Sequence, residues 1–460
     1  MNQPDPDCFG EQEFEDSLEP WHLIRRTDVV ARAGVLMLGA GTSSLRVRQL
    51  MKRAARAVGL GNVEADIGFT SLTMTVERRG LFRTKVVEVR KPGVNAHRIA
   101  MLQALSNAMP ERMTATELDQ ELDRIENTGP LYPAWLRGLL VALACASITL
   151  LTGGGWQEIA AVLPASGLAY LMFRRLGRWH LNHLAVVLAS SFTASGTYLV
   201  VAGLVGHFSG ATSPRVAAGF ICAALFLVPG FPLVTAGLDL TRLDLAAGIP
   251  RAVYALMILL AMTIGIWIVT KLGGISADPL PPFAAEPWRL WLMRAAASFA
   301  AVVGWAMMLN SPLTAAVASG AVAVAGNALR LGMIDAGVTE HVATFAGCFL
   351  IGLGCAILGR VFSLEKIIMT VPTLLVSIPG SAALRALLYF DEQLVERAVE
   401  QGLAALLGVI AMVAGLSAAR MLTDPEWIFT RDDPPPLRQV VPRLRRRRQH
   451  RVPGEGVPES

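Results

Sequence analysis

The chain has 460 residues, 53% of them hydrophobic and only 17% charged, with a formal net charge of +5. Soluble domains run about a quarter charged, so this composition, with a mean hydropathy of +0.48, excludes an ordinary water-soluble globule. The charges crowd into residues 1–130 and 421–460, while between Gly138 and Arg420 the chain repeatedly runs uncharged for the length of a membrane span.

Residues 1–27 are acidic, lack the apolar run of a cleavable signal peptide, and read as disordered. A small α+β soluble domain is expected over 28–130. Residues 28–60 read as helical. Within Ser44–Gly59 the pattern sets Leu45, Leu50, Ala54, Ala57 and Val58 near one face and Arg46, Arg48, Lys52, Arg53 and Arg56 largely outside it. Three β-like runs follow at Val63–Ile67, Leu72–Glu77 and Lys85–Val89, then helical stretches at Asn95–Ala108 and Thr114–Asn127. Thr114 and Glu117 have capping-box spacing, which satisfies free amides at a helix start. Gly39-Ala40-Gly41-Thr42-Ser43-Ser44 superficially resembles a phosphate cradle. Without GxGxxG spacing or a P-loop lysine, it reads instead as a helix-to-helix turn with a Ser or Thr cap. His22 and His97 are the domain's histidines and no nucleophile elbow accompanies them, so the chain is not read as an enzyme.

Ala295 to Leu329 is too long an uncharged run for one crossing of roughly 20 residues, so Asn310-Ser311-Pro312 must fold it into a hairpin. The same reasoning gives five spans over 131–272, at Trp135–Thr152, Trp156–Phe173, Leu184–Gly206, Val216–Leu238 and Ala252–Thr270. Five more lie within 288–422, at Leu290–Leu309, Pro312–Arg330, His341–Gly359, Ile367–Leu384 and Gln401–Ala419. Paired in order, the spans keep a nearly constant separation, and the fourth of each set carries a Pro-Gly, Pro229-Gly230 and Pro379-Gly380. The expected fold is a polytopic α-helical membrane protein of about ten helices in two five-helix repeats. Five is odd, so the repeats are inverted. The bland alternative is ordinary polytopic loop spacing.

Arg137, then Arg174, Arg175 and Arg178, and the basic run Arg443 to Arg448 fall on one side if the span number is even, which places both termini in the cytoplasm. The tail, within a disordered 423–460, reads as a contact for anionic lipid and not for nucleic acid. Cys8, Cys145, Cys222, Cys348 and Cys355 have no metal-ligand spacing, and neither a metal nor a cofactor is expected.

Ionisable groups inside spans are costly and are read as functional first. The densest group follows the first Pro-Gly: Thr235, Asp239, Arg242, Asp244 and Arg251. Proline removes an amide donor and glycine admits close approach, so Pro229 and Gly230 suit a broken helix that binds polar cargo. Asp239 is the leading candidate for proton coupling; the alternative is a carboxylate paired with Arg242 or Arg251. Asp244 reads as a loop partner for an arginine. Arg385, after Pro379-Gly380, holds a substrate carboxylate or snorkels to the interface. His183 and His341 begin the two third spans, as proton relays or interfacial hydrogen-bonding residues. Asn327 and Thr193 either touch substrate or join helices, while Gly203, Gly219, Gly347, Gly352 and Gly354 read as close-packing positions. Trp135, Trp156, Trp179, Trp288 and Trp291 read as interface anchors.

The run Ala33 to Val47, with Ala57-Val58-Gly59-Leu60 after it, resembles the opening of the threonine/serine exporter family, as does Leu227 to Val234 ending in Asp239-Leu240. The resemblance covers about Val29 to Leu422 and implies both family modules fused in one chain. It implies a cytoplasmic domain, about ten spans, and export of threonine and serine driven by the proton-motive force in a bacterial inner membrane. Related split-chain members are associated with succinate, so a dicarboxylate exporter is the first alternative. A membrane-anchored enzyme or sensor is the second, and self-association is left open. Arg48 stands where the family often has an acidic residue.

Overall fold

The first helix starts where apolar residues first recur at helical spacing. In the computed structural model, which describes residues 21–78, 81–89, 93–179, 181–210, 215–273, 286–424 and 427, α1 spans Trp21–Gly39 and α2 spans Ser44–Ala57. Helix therefore occupies 21–27, part of the stretch expected to be disordered, because Leu23 and Thr27 are buried and give it a core-facing side. Residues 1–20 and the basic run Arg443 to Arg448 lie outside the described residues.

A meander of β1 (Asn62–Ile67), β2 (Ser71–Arg78) and β3 (Leu81–Glu88) follows, antiparallel throughout, with Ile67 opposite Leu72 and Ser71 opposite Glu88. Alternation sends Leu72, Met74 and Val76 into the core, while Thr75 and Thr84 hydrogen-bond on the other face at 2.9 Å. Helices α3 (Ala96–Ala108) and α4 (Ala115–Asn127) complete the domain. The Thr114–Glu117 capping box forms, with bonds of 3.2 and 2.9 Å. Arg32 joins α1 to α4 through Asp119, Asp123 and Glu126 at 2.5 to 2.6 Å.

Among the described residues, eight helices are long and apolar enough to cross a membrane: α5 (Ala134–Leu151), α6 (Trp156–Gly177), α7 (His183–Ser209), α10 (Leu245–Gly273), α11 (Pro287–Met308), α12 (Leu313–Asp335), α13 (Glu340–Val361) and α16 (Val395–Thr423). The chain is a polytopic helical membrane protein. The fourth apolar run of each half is not a continuous span. In the first, α8 (Val216–Cys222) leads to a 3₁₀ turn at Leu225–Leu227, and α9 (Gly230–Thr241) leaves at 70°. In the second, α14 (Lys366–Leu374) leads to a 3₁₀ turn at Leu375–Ser377 and then α15 (Gly380–Asp391).

Proline explains both breaks. Pro229 has no amide for the Leu225 carbonyl, so the chain tightens, with Val228 N donating to Leu225 O at 3.1 Å. Pro229 then makes an inverse γ-turn, φ −78° and ψ 59°, closed by Gly230 N to Val228 O at 2.8 Å. Pro379 repeats it at φ −78° and ψ 52°, with Gly380 N to Ile378 O also at 2.8 Å. The residues after the two half-helices, Leu243 and Gln393, are both left-handed, at φ 59° and 63°.

The two breaks also meet each other. Gly230 lies against Leu375, and Gly380 faces Leu225, so each glycine touches the leucine equivalent to its own neighbour. α9 packs on α16 and α15 on α10, another reciprocal exchange. Small residues permit such approaches. Gly219 meets Tyr198, Gly347 meets Gly326, Gly352 meets Ala419 and Gly354 meets Val322. Gly203 does not fit its expected packing role: it lies on the outward face of α7 with nothing within 4 Å of its Cβ position.

The expected hairpin at Asn310 is present, with Asn310 left-handed at φ 64°. Its side chain also ties the two regions together, since Asn310 Nδ2 donates to Asn95 Oδ1 at 2.9 Å while its Oδ1 accepts from Leu131 N at 2.8 Å.

Candidate functional site

The turn between α1 and α2 is the first part of the site. Gly41 is left-handed at φ 97°, and a side chain there would meet the Gly93 carbonyl at 2.7 Å, so glycine is required. The turn is the helix-to-helix connection expected, but without the expected cap, since the side chain of Ser43 makes no capping bond, and it does more than join helices. It aims the start of α2 at the first broken span, with Ser44 Oγ 3.1 Å from Asp239 Oδ1 and 2.7 Å from Asp244 Oδ2. The amide of Ser44 also faces Asp239, so the positive end of α2 meets a buried carboxylate.

Asp239 is buried in α9 and forms an ion pair with Arg251, itself buried on α10. Of the two roles weighed for Asp239, the arginine pairing is the geometry present. Burying two charges is tolerable because each satisfies the other and Ser44 supplies further hydrogen bonding. Asp244 behaves as expected, lying 3.5 Å from Arg48 and accepting from Ala247 N at 3.4 Å at the start of α10. Arg242 lies over the Trp427 ring, 5.3 Å from its centroid.

A cavity of about 630 Å³ opens on the first Pro-Gly break. Pro229, Gly230, Thr235 and Arg251 line it, together with Leu38 and Gly41 of the amino-terminal domain and Trp305 and Leu375 of the second half. His183 is on its wall, in an aromatic row where its ring stacks on Tyr254 at 6.1 Å and Tyr254 meets Phe69 at 4.9 Å. Thr235 returns its hydroxyl to Phe231 O at 2.8 Å, which leaves its oxygen free to accept.

The other sequence candidates do not converge here. Asn327 donates to Ser298 Oγ at 2.8 Å and accepts from Arg330 Nε at 3.0 Å, joining α11 to α12. Thr193 bonds back to Ala189 O at 2.8 Å. Pro379 and Gly380 form the second break without lining the cavity, and Arg385 is exposed. His341 lies outside the cavity lining, although it starts α13 much as His183 starts α7. Ser44, Tyr254 and the cavity arginines Arg137, Arg174 and Arg178 were not singled out as site residues from the sequence. The three arginines were visible there only as topology markers. Cys145, Cys222, Cys348 and Cys355 are free and buried; Cys8 is outside the described residues.

Comparison with known proteins places this architecture. A threonine/serine exporter family model matches residues 28–273, and a second, also described as threonine/serine exporter, matches 294–422. A protein of Mycobacterium tuberculosis described as a probable threonine/serine exporter is 23% identical over 93% of this chain and 83% of its own length. The Escherichia coli protein described as a probable succinate transporter subunit, YjjP, is 26% identical over 54% of this chain and 95% of its own. Pheromone-regulated membrane protein 10 of Zygosaccharomyces rouxii is 22% identical over 78% of this chain and 37% of its own. No solved structure matches the chain. With both modules present in sequence order, the chain belongs to the threonine/serine exporter family of multi-pass membrane transporters.

Proposed function

We propose that the protein is a secondary exporter of threonine, serine or a similarly small polar amino acid, driven by inward proton movement across a bacterial inner membrane. The observation that carries this reading is the cavity at the first Pro-Gly break, lined by both halves and capped by the amino-terminal domain. Taking both broken runs as crossings, although among the described residues only the first is long and apolar enough by itself, gives five crossings per half and a second half that enters from the opposite face. The reciprocal Gly230–Leu375 and Gly380–Leu225 contacts support halves related in this way, which rock against each other around the cavity. Both termini are then cytoplasmic, and the tail Arg443 to Arg448 rests on anionic lipid.

Asp239 is the coupling group in this proposal. In the state described its charge is held by Arg251 and Ser44. Asp239 lies behind the cavity wall, but its partner Arg251 lines the cavity, so a proton on Asp239 changes the charge that the cargo meets there. Counterflow of labelled threonine or serine in proteoliposomes tests this. Gradient-driven flux should collapse with a protonophore, and no flux of any small amino acid or dicarboxylate would sink the transport reading.

A dicarboxylate exporter is the second reading. It is supported by a cavity lining whose described residues include four arginines and no Asp or Glu, and by the name of the YjjP relative.

A further inference from the structure

Arginines at span ends ordinarily reach outward to water and headgroups. Arg175 does so, exposed and lying over Trp179, 6.0 Å from the ring centroid. Its neighbour Arg174 and the α5 residue Arg137 do the opposite. Both are half-buried and line the cavity, and Nε of Arg137 and Nη1 of Arg174 are enclosed with no hydrogen-bond partner among the described residues. Gly138, next to Arg137, stands against the Tyr170 ring, and Arg174 lies one turn beyond Tyr170, so the two guanidinium groups belong to the same end of the α5–α6 pair.

An enclosed guanidinium donor without an acceptor is costly, and native structures almost always supply one. Among the described residues no Asp or Glu lines the cavity, and Asp239 is already held by Arg251. The guanidinium charge on this stretch of cavity wall is therefore best met by an anionic group that enters the cavity. A planar guanidinium fork matches a carboxylate in two parallel hydrogen bonds, and two forks from adjacent helices can share its oxygens.

We propose that Arg137 and Arg174 bind the carboxylate end of the cargo. The proposal rests on the transport reading above and adds to it the group that recognises the acid end. α-Amino acids and dicarboxylates share this chemistry, and the flux assay separates them.

The experiment uses the full-length protein in vesicles of neutral phosphatidylcholine, so that anionic headgroups do not occupy the arginines. Counterflow of labelled threonine and of labelled succinate is measured separately; the label that the parent protein carries identifies the source of the carboxylate. R137Q and R174Q should each raise the half-saturating concentration of that cargo about tenfold or more with little change in maximal rate, as expected for lost charge-assisted hydrogen bonds. R137K and R174K should recover part of the loss, because charge returns without the fork. Unlabelled threonine amide, or the succinate diamide, should compete at least about tenfold more weakly than the acid. This last arm needs only the parent protein and holds even if a variant fails to fold.

Parent flux with unchanged half-saturation in both well-folded glutamine variants would overturn the arginine pair, as would an amide that competes as well as the acid. Absence of flux in the parent would overturn the transport reading itself.

Discussion

The two Pro-Gly breaks share a backbone and differ in chemistry. Both tighten into a 3₁₀ turn, make the same inverse γ-turn and start a half-helix at glycine. Counting from Gly230 and Gly380, however, Tyr389 stands where Asp239 does and Gln401 where Arg251 does. Among the described residues, only the first break has the buried ion pair and the Ser44 contact, and only its Pro-Gly lines the cavity. The same backbone turn recurs at both breaks, while the buried charges described lie at one.

The sharpest way to break that comparison is to remove the charge. Asp239→Asn should abolish proton-driven flux and lower stability by about 3–5 kcal/mol, because Arg251 is left buried without its partner. Tyr389→Phe, at the equivalent place, should leave flux near the parent level. Adding Arg251→Gln to Asp239→Asn should restore much of the melting temperature and none of the coupled flux. Normal proton-driven flux in the Asp239 variant would end its coupling role.

The next largest effect concerns the cover over the first break. Ser44→Ala removes hydrogen bonding to two carboxylates and should cost about 1.5–3 kcal/mol, read as faster amide hydrogen exchange in α2 and around Asp239. Exchange around the second half-helix, α15, should not change.

Glycine substitutions probe the shared backbone. A methyl at Gly230 would overlap Leu375, so Gly230→Ala should cost about 1–3 kcal/mol in thermal unfolding. At Gly380 the nearest atom is the far end of Leu225, 3.2 Å away, and the same change should cost less. If Gly230→Ala, Leu375→Ala recovers the loss, overlap and not turn geometry was responsible.

The smallest effect is one of pH. Burial lowers the pKa of His97, in α3, below its ordinary value of 6.5. The folded domain therefore favours the neutral ring, and protonation favours unfolding. Stability present above pH 6.5 should be lost as pH falls through the depressed folded value. His97→Gln should flatten that dependence in a thermal melt series.

Much of the fold was legible because local periodicity determines it. The three strands, the capping box at Thr114 and the hairpin at Asn310 all follow from patterns within a few residues of themselves. Breaks at Pro229 and Pro379 were legible too, but not the 70° bend at the first, because a bend angle depends on what the half-helix packs against. The site was less visible. The Arg251 pairing was one of two local options for Asp239, whereas Ser44 lies 195 residues away from it in sequence. Nothing in Gly39 to Ser44 signals where it docks. Arg137 and Arg174 carried a strong topological reading, and sequence alone does not tell an arginine that snorkels outward from one that turns inward.

The position of α2 has a mechanical consequence. Arg48 reaches Asp244 at 3.5 Å in the first half, and two residues earlier Arg46 reaches Glu365 at 3.3 Å in the second. One short helix thus bridges two bodies, like a strut pinned at both ends. If the halves pivot, at least one pin must slip or the helix must stretch its own ladder of hydrogen bonds, so the stiffness of the joint is set at this strut, not only in the surrounding lipid.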